Sequence, residues 1–413
     1  MSKPMGPIPA GFAADRDGML LIGGQRADAL VDQAGDTPLF VYDLALIDAK
    51  IARFRAAFPG VHLHYAIKAN SYQPLLDHVA RQMDGLDIAS VGEMDFALEA
   101  GTPAAAISFA GPGKRDGELS EAIQEGITLN AESEGEVERA LRIGAKAGRR
   151  PRLAVRVNPE FEIKGSGMRM GGGAKPFGVD AARVPVLVRH IIESGAEWRG
   201  FHIFAGSQAL DADALIEAQA ATLALAAQLS EAVGETPPLV NLGGGFGIPH
   251  FHGEQVLDIE KVGVALGEGL AARAPILKDS RFAIELGRWL VGECGVYLTR
   301  IVDRKVSHGK TFLIVDGGLH HQLAASGNFG QVVRRNYPAA IATRFGADPV
   351  EEVNIVGCLC TPLDRLADDV MTPQAEVGDL VAVFLAGAYG LSASPQAFLT
   401  QQPALETVLN GRN

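Results

Sequence analysis

Short apolar segments alternate with amphipathic helical segments from about Asp43 to Arg288, and this alternation constrains the fold most. Eight apolar segments have the length of buried strands: Leu63–Ala66, Leu86–Ala89, Ile107–Ala110, Thr128–Asn130, Leu153–Val157, Gly200–Phe204, Leu239–Leu242 and Phe282–Glu285. The longest helical segment is about Ala212–Val233, with Asp211 as its expected N-cap. Repeated strand–helix units build a parallel sheet, and eight of them predict a closed (β/α)8 barrel of the α/β class. Functional residues are then expected at the carboxyl ends of the strands.

The sequence pattern changes after Val291. Four strand-like segments follow with few helical segments between them: Val296–Val302, Thr311–Val315, Val353–Val356 and Leu380–Phe384. They predict a second, mostly antiparallel β domain. Leu20–Ile22 and Leu39–Tyr42 have the same character, so we expect them to pack into that domain with the barrel inserted between. The predicted boundaries are residues 1–42 for the N-terminal strands, 43–290 for the barrel and 291–413 for the β domain.

Composition and charge narrow the class of protein. The chain has 413 residues, of which 47% are hydrophobic and 21% charged, so it can build a sizeable core. Its net charge of -12 argues against nucleic acid or an anionic membrane as a partner. No apolar run has the length of a signal peptide or approaches the roughly 20 residues of a membrane helix. Three cysteines fit a reducing compartment, so the expected location is the cytoplasm.

Lys68 lies at the end of the first apolar segment, in the run His64–Asn70. A lysine at the mouth of a barrel strand can be held in a pocket. Its amine can then form a Schiff base with an aldehyde cofactor, of which pyridoxal 5'-phosphate is the usual one. A lone lysine after a strand is more often a surface residue, so this interpretation depends on the segments that follow it.

Glycine-rich and acidic segments downstream strengthen that interpretation. Successive glycines in the run Asn241–Gly247 would let backbone N–H groups approach a phosphate, although a tight turn needs the same glycines. Ser207 offers a hydroxyl at the end of another strand. Glu285 could pair with a protonated pyridine nitrogen, and Arg288 with substrate or phosphate. An ion pair between Glu285 and Arg288 is the alternative for those two residues.

The motifs occur in one order: HYAIKAN with Lys68, DIASVGE (Asp87–Glu93), GFHIFAGSQ (Gly200–Gln208), NLGGGFGI, ELGR, VDGG (Val315–Gly318), GCLCTPLD (Gly357–Asp364) and AGAYG (Ala386–Gly390). Together they resemble the fold-type III pyridoxal phosphate decarboxylases, above all diaminopimelate decarboxylase and more distantly ornithine decarboxylase. The resemblance covers about Thr37 to Ser394. The CTPLD form is similar to the branch associated with exosortase and secondary-metabolite gene clusters. The resemblance implies a carboxy-lyase with a pyridoxal phosphate-binding barrel and a C-terminal β domain of the alanine racemase-like/decarboxylase type.

The resemblance also implies a role for each matching residue. Lys68 matches the lysine that carries the cofactor, and Glu285 matches the partner of the pyridine nitrogen. Cys360 matches a cysteine that enters from the dimer partner and protonates the substrate carbon after carbon dioxide leaves, so a homodimer with shared sites is implied. The remaining implied cofactor-binding residues are Asp87, Phe204, Ser207, Gly243, Gly244, Gly245, Gly287, Arg288 and Tyr389, among which Ser207, Gly244, Gly245 and Tyr389 match phosphate contacts.

Several positions depart from the family pattern. Phe204 stands where a histidine usually stacks on the cofactor ring, Leu286 replaces a proline, and Leu385 replaces an aspartate. The residues with which diaminopimelate decarboxylases read the far end of their substrate are also absent: Ala324, Asn328 and Thr361 stand where the family has an arginine, a tyrosine and a glutamate. Thr361 also cannot replace the acidic residue of ornithine-type enzymes. A site built for polar groups rejects substrates that leave those groups unpaired, so we expect a different substrate here, either an amino-acyl group on a carrier or a modified amino acid.

Several alternatives remain open at this point. The enzyme could be diaminopimelate decarboxylase proper or an amino-acid racemase of the related fold, and a non-catalytic relative would not need Lys68 opposite Cys360. His320 and His321 are either substrate contacts, together with Arg288 and Thr361, or turn residues. His250 and His252 are expected in a loop. Two further expectations concern loops and metal: residues 164–175 form a mobile lid, and Cys358 and Cys360 share one side of a strand without binding a metal.

Overall fold

The computed structural model describes residues 2–163, 167–169, 171–329, 331 and 333–410. The chain forms two compact units. One comprises Ile51–Ile248 and Val256–Gly287, and the other comprises Met1–Lys50, Pro249–Gln255 and Arg288–Asn413. No helix in the described ranges is both long enough and apolar enough to cross a membrane.

The first unit is the predicted closed barrel of eight parallel strands. In chain order the strands are His62–Ala66, Gly85–Ile88, Ile107–Phe109, Thr128–Ala131, Arg152–Asn158, Glu197–Ile203, Leu239–Asn241 and Arg281–Leu286. Each strand pairs with the next, and the eighth pairs with the first through Ala283 and His62. The predicted strands are therefore confirmed, with ends that differ by a few residues. We number these strands one to eight below.

Helices alternate with the strands, as the periodicity predicts. They are Leu44–Ala57, Gln73–Ala80, Val91–Glu99, Asp116–Glu125, Glu134–Ala147, Val184–Glu193, Ala212–Val233 and Ile259–Ala271. The Asp211 carboxylate accepts the N–H of Asp213 and begins the longest helix, which confirms the expected N-cap. The sequence analysis did not anticipate Ile259–Ala271, because its three glycines lower intrinsic helix propensity. Its buried face, which includes Val262 and Leu266, stabilises it instead.

The second unit contains the predicted, mostly antiparallel sheet. Its long central strand, Gly295–Ser307, pairs antiparallel with Leu39–Asp43, Lys310–Val315 and Leu380–Phe384. Glu351–Val356 joins in parallel to Lys310–Val315. Three further strands were not anticipated from the sequence: Ala339–Ile341, Arg365–Thr372 and Leu405–Leu409. The short helices Ala27–Ala34 and Arg288–Val291 belong to the same unit.

Leu20–Ile22 lies in this unit and pairs with Ala13–Ala14 and Gln25–Arg26 in a separate three-stranded sheet. One local expectation for this unit is wrong. Cys358 and Cys360 do not lie in a strand, since the strand ends at Val356 and the chain bends there. The two thiols differ accordingly: Cys358 is half-buried, whereas Cys360 is exposed.

Candidate active site

Polar side chains meet at the carboxyl ends of the barrel strands, where the sequence analysis placed the site. A cavity of about 270 Å³ opens there. Its walls include Lys68, Asp87, Arg156, His202, Phe204 and Glu285, which come from five different strands or the segments that follow them. Strand order therefore brings together residues that are more than two hundred positions apart in the sequence.

A single helical turn, Ile67–Ala69, presents Lys68 directly after strand one. The buried Tyr65 hydroxyl donates to the carbonyl of Asn70 at 2.8 Å and fixes the chain across this turn. Lys68 itself is exposed, with its Nζ 5.9 Å from the centre of the Phe204 ring. The amine is thus free to react with an aldehyde while the backbone that carries it is held.

Gly287 explains how this turn approaches the end of strand eight. A Cβ at Gly287 would lie 2.8 Å from the Cβ of Ala69, closer than side-chain carbons approach. Only glycine lets the two segments pack at this distance. Gly287 therefore supports the position of Lys68 through packing.

Glu285 is a buried carboxylate near the end of strand eight. Its Oε2 accepts from His202 Nε2 at 2.9 Å and from Asn241 Nδ2 at 3.1 Å. Burial opposes ionisation, but the charge and hydrogen bond of His202, together with the charges of Lys68 and Arg156, hold the pKa of Glu285 at about 2. The group is an anion at neutral pH, as a partner for a protonated ring nitrogen must be.

A second polar chain crosses strands one to four. Asp87 lies 3.4 Å from Nδ1 of His64 and accepts a short hydrogen bond from Ser108, which in turn accepts from Asn130 at 3.1 Å. Burial disfavours the imidazolium of His64, yet the nearby negative charges of Asp87 and Glu285 raise its pKa. Asp87 is thereby tied to the barrel as well as lining the cavity.

The sequence analysis missed His64, His202 and Asn241, although a signal was present. Each is the histidine or asparagine of a predicted apolar segment, namely Leu63–Ala66, Gly200–Phe204 or Leu239–Leu242, whereas barrel interiors usually carry branched apolar side chains. A buried polar residue is the informative exception in such a pattern. These three polar residues in apolar segments are therefore a sequence signal for the groups that surround Glu285 and Asp87.

Arg156 was also missed, although it lines the same cavity. It donates to Glu132 at 2.8 Å and lies 5.0 Å from the centre of the Phe177 ring. Glu132 additionally accepts the N–H groups of Gly111 and Gly178. One carboxylate thus holds the arginine and two loops of the barrel mouth together.

The glycine segment after strand seven has the expected close packing. A Cβ at Gly244 would lie 1.8 Å from the carbonyl oxygen of Glu285, and one at Gly245 would lie 2.6 Å from that of Gly206. Gly243 and Gly245 also have positive φ angles of 70° and 83°. Within the described ranges, the N–H groups of Gly244 and Gly245 have no protein acceptor. Both requirements for glycine noted from the sequence, a tight turn and open N–H groups, therefore occur together.

Ser207 and the predicted lid segment are neighbours. Met168 pairs with Ser207, and Arg169 pairs with Gly206, in a two-stranded ribbon. Residues 164–166 and 170 of the segment lie outside the described residues. The lid role therefore stays a prediction.

In the second unit, Arg288 and Tyr389 lie together. The guanidinium carbon of Arg288 is 4.6 Å from the centre of the Tyr389 ring, and its Nη1 is 3.4 Å from Nε2 of His250. Tyr389 has a φ of 54°, which is uncommon for a bulky residue. Such strain is concentrated at functional sites, so it is consistent with the role implied for Tyr389.

Asp364 organises the loop that carries Cys360. Its two carboxylate oxygens accept the N–H groups of Leu319 at 2.7 Å and Leu359 at 2.9 Å. Cβ atoms at Gly318 and Gly357 would collide with this carboxylate. The VDGG and CTPLD segments are therefore one packed structure, in which Cys360 is exposed.

His320 and His321 follow the same turn and differ in their contacts. His321 is bonded through both ring nitrogens, to the Tyr297 hydroxyl at 3.1 Å and the Gln402 carbonyl at 2.9 Å. Both nitrogens of His320 are buried without a partner in the described part of the chain, and burial lowers its pKa to about 4. These contacts fit a structural role for His321, while a substrate role stays a prediction for both.

Ala324, Asn328 and Thr361 occupy the positions where diaminopimelate decarboxylases bind the far end of their substrate, and all three side chains are uncharged. Ala324 is buried, and the Asn328 amide donates to Ser326 at 2.8 Å and to the carbonyl of Leu363 at 3.4 Å. The Thr361 hydroxyl accepts the N–H of that same Leu363 at 3.4 Å. Asn328 and Thr361 are thus close together.

The fold and the site together define a class of protein: a barrel that carries an exposed lysine, a buried carboxylate anion and glycine N–H groups at the carboxyl ends of its strands. A family model described as the pyridoxal binding domain of pyridoxal-dependent decarboxylases matches residues 44–292. The chain is 36% identical to the L-glutamyl-[BtrI acyl-carrier protein] decarboxylase of Niallia circulans, over 90% of this chain and 88% of the relative. It is 32% identical to the diaminopimelate decarboxylase of Methanothermobacter thermautotrophicus, over 96% of this chain and 92% of the relative.

A solved structure agrees with these sequence relationships. Diaminopimelate decarboxylase from M. jannaschii in complex with L-lysine has a TM-score of 0.87 and 25% identity, covering 97% of this chain and 94% of the other. The chain therefore belongs to the pyridoxal-dependent decarboxylase family. It is a pyridoxal phosphate-dependent carboxy-lyase that acts on an amino acid or amino-acyl substrate.

Proposed function

We propose that the substrate is an amino acid with a modified or carrier-bound side chain, and not meso-diaminopimelate. The observation that carries this proposal is the absence of charge at Ala324, Asn328 and Thr361. The distal head of diaminopimelate carries both an ammonium and a carboxylate, and burying either without a partner costs several kcal/mol, on the order of the penalty for an unpaired buried ion. The 36% identical relative is described as acting on a glutamyl group of an acyl-carrier protein.

A second relative supports the same class of substrate. The chain is 28% identical to the Staphylococcus aureus 2-[(L-alanin-3-ylcarbamoyl)methyl]-2-hydroxybutanedioate decarboxylase, over 87% of this chain and 91% of the relative. That protein's name describes a modified amino acid. Diaminopimelate decarboxylase remains the second candidate, because several of the relatives carry that name.

The barrel residues suit pyridoxal phosphate, which when bound accepts the electron pair left by the departing carboxylate. Lys68 would hold the cofactor's aldehyde carbon, since its amine is exposed on a fixed turn. Gly244 and Gly245 would bind the phosphate through their open N–H groups, with Ser207 as a further donor. Glu285 would keep a proton on the ring nitrogen, and Phe204 would pack against the ring. Asp87, Gly243, Gly287, Arg288 and Tyr389 complete the proposed cofactor-binding set.

Cys360 is proposed as the proton donor, acting from the second copy of a homodimer. Breaking the Cα–carboxylate bond releases carbon dioxide and leaves a carbon that must take up one proton. An exposed thiol on a loop held by Asp364 is suited to donate it. Arg288, His320, His321 and Thr361 are the proposed substrate contacts. The cytoplasm remains the predicted location.

An activity panel tests the substrate proposal. Purified enzyme with pyridoxal phosphate is offered meso-diaminopimelate, lysine, ornithine and glutamate, and the amino-acyl thioesters of acyl-carrier protein and of pantetheine. Carbon dioxide release is measured beside deuterium exchange at Cα. We expect release from a thioester or a side-chain-modified amino acid. Rapid release from meso-diaminopimelate would contradict the substrate proposal, and exchange without release would indicate a racemase.

Reductive trapping tests the role of Lys68 separately. Borohydride treatment of the holoenzyme, followed by peptide mapping, is expected to find the pyridoxyl group on the peptide that contains Lys68. Lys68→Ala should lack the absorption of a protonated Schiff base and should carry no pyridoxyl group after borohydride treatment. Label on any other lysine would reject the assignment whatever the substrate is.

A further inference from the structure

The two oxygens of Glu285 are not equivalent. Both of its hydrogen bonds, from His202 and from Asn241, go to Oε2. Among the described residues, no donor forms a hydrogen bond to Oε1. Glu285 also lines the cavity beside Lys68. Oε2 is therefore held by hydrogen bonds from barrel side chains, and Oε1 is available to accept a hydrogen bond from a group in the cavity.

Three consecutive strands create this asymmetry. His202 on strand six is the direct cross-strand partner of Asn241 on strand seven. Asn241 in turn pairs with Ala283, two residues before Glu285 on strand eight. Side chains two residues apart on a strand share a face, so the donors and the carboxylate all point into the barrel.

His202 has a single polar anchor. Its Nε2 carries a hydrogen toward Glu285, because the ionised carboxylate can only accept. Its Nδ1 is buried, and no partner for it lies in the described part of the chain. Removing His202 therefore removes one hydrogen bond, and that bond ends on Glu285. Lys68 and Arg156 also act electrostatically on Glu285, and Glu285 acts on His64.

We propose that His202 is a positioning residue that holds Oε2 of Glu285, with help from Asn241, and so presents Oε1 to the ring nitrogen of pyridoxal phosphate. This inference rests on the proposed role of Glu285. Its chemical consequence is that the ring nitrogen stays protonated over a wider pH range than a freely rotating carboxylate would permit. The histidine itself does not touch the cofactor's reacting atoms.

Two amide variants separate this role from simple packing. In His202→Gln the amide nitrogen reaches about as far as Nε2, whereas in His202→Asn it ends about one ring width short. Both variants are reconstituted with pyridoxal phosphate that carries nitrogen-15 in the ring. The nitrogen-15 chemical shift and the visible absorption are then followed from about pH 6 to pH 9, and the dissociation constant of the cofactor is measured.

We expect wild type and His202→Gln to share the shift of a protonated ring nitrogen. In His202→Asn the shift should move toward the unprotonated value, and the dissociation constant should rise by about 10-fold, the equivalent of one lost hydrogen bond to a charged group. Asn241→Ala removes the second donor to the same oxygen. It should change the shift in the same direction, and it keeps the inference testable if His202→Asn does not fold.

Glu285→Gln distinguishes failure of the inference from failure of its premise. If Glu285→Gln changes the nitrogen-15 shift but His202→Asn and Asn241→Ala do not, the positioning role is wrong while the proposed function stands. Equal displacement in His202→Asn and His202→Gln also overturns it, since the donor would then be irrelevant. An unchanged shift in Glu285→Gln rejects the role of Glu285 and this inference together.

Discussion

Single residues at the barrel mouth are constrained by backbone groups that lie close to them. Gly244 is the clearest case, since a Cβ there would lie 1.8 Å from a carbonyl oxygen of strand eight. Tyr65 holds the Lys68 turn in the same way, by one hydrogen bond to the backbone. Such a glycine or tyrosine can be recognised as part of a sequence motif. The backbone group that constrains it is not adjacent to it in the sequence.

Gly244→Ala tests the glycine requirement. Moving a backbone segment to admit the methyl group should lower the free energy of unfolding by roughly 1–3 kcal/mol or more, and should weaken cofactor binding. Urea unfolding and cofactor titration measure both effects. Gly267→Ala is the matched control, because nothing lies within 4 Å of its Cβ position in a helix. There alanine should leave stability unchanged or raise it by up to about 1 kcal/mol. Equal changes in unfolding free energy and cofactor binding for the two substitutions would show that position 244 does not require glycine.

His64→Gln tests the pair formed with Asp87. The folded pKa of His64 is raised above its ordinary value of 6.5, so protonated His64 stabilises the fold below that value. The contribution is lost as pH rises through the folded pKa. The loss of unfolding free energy caused by His64→Gln should therefore be larger at about pH 6 than at about pH 9. A difference that is the same at both pH values would show that Asp87 does not stabilise the imidazolium.

Secondary-structure elements were predictable where local signals agreed. Ala212–Val233 has an aspartate cap, a sequence rich in strong helix formers and a glycine at its end, and its bounds were predicted without error. Ile259–Ala271 and Arg365–Thr372 were missed. The first contains glycines, and the second contains two aspartates, both depleted from their respective elements, so tertiary packing overrides propensity in both.

Asp364→Ala tests how the Cys360 loop is held. It removes the acceptor for the N–H groups of Leu319 and Leu359, which then stay buried without partners. The free energy of unfolding should fall by about 1–3 kcal/mol, the cost of an unsatisfied buried donor. Asp303→Ala, at an exposed position, is the control and should change it by less than about 0.5 kcal/mol. Equal stability of Asp364→Ala and wild type would show that the carboxylate does not organise the loop.

At the scale of the whole molecule, closure of the barrel decides which residues meet. Strand eight pairs with strand one, and this brings Glu285 to the level of His64. Strand eight also lies beside strand seven, which places Asn241 against the same carboxylate. The polar interior is therefore a product of ring closure and not of any one segment.

The proposed homodimer is tested by sedimentation of the holoenzyme. We expect twice the chain mass of 43.5 kDa at micromolar concentration. Mixing Lys68→Ala with Cys360→Ala chains should restore part of the activity toward whichever substrate the panel identifies, because one of the two mixed sites then has both groups. A monomeric mass with full activity would reject the shared site.

The sequence by itself determined the barrel, the β domain, the decarboxylase family and the position of Lys68, because these follow from periodicity and from motifs that are local in the chain. Only the tertiary structure decided that His202 and Asn241 share one oxygen of Glu285, that Arg156 enters the cavity, and that Asp364 ties two loops together. The physical reason is that a hydrogen bond between residues that are far apart in the sequence depends on strand register and ring closure. Neither leaves a signature in the spacing of residues along one strand.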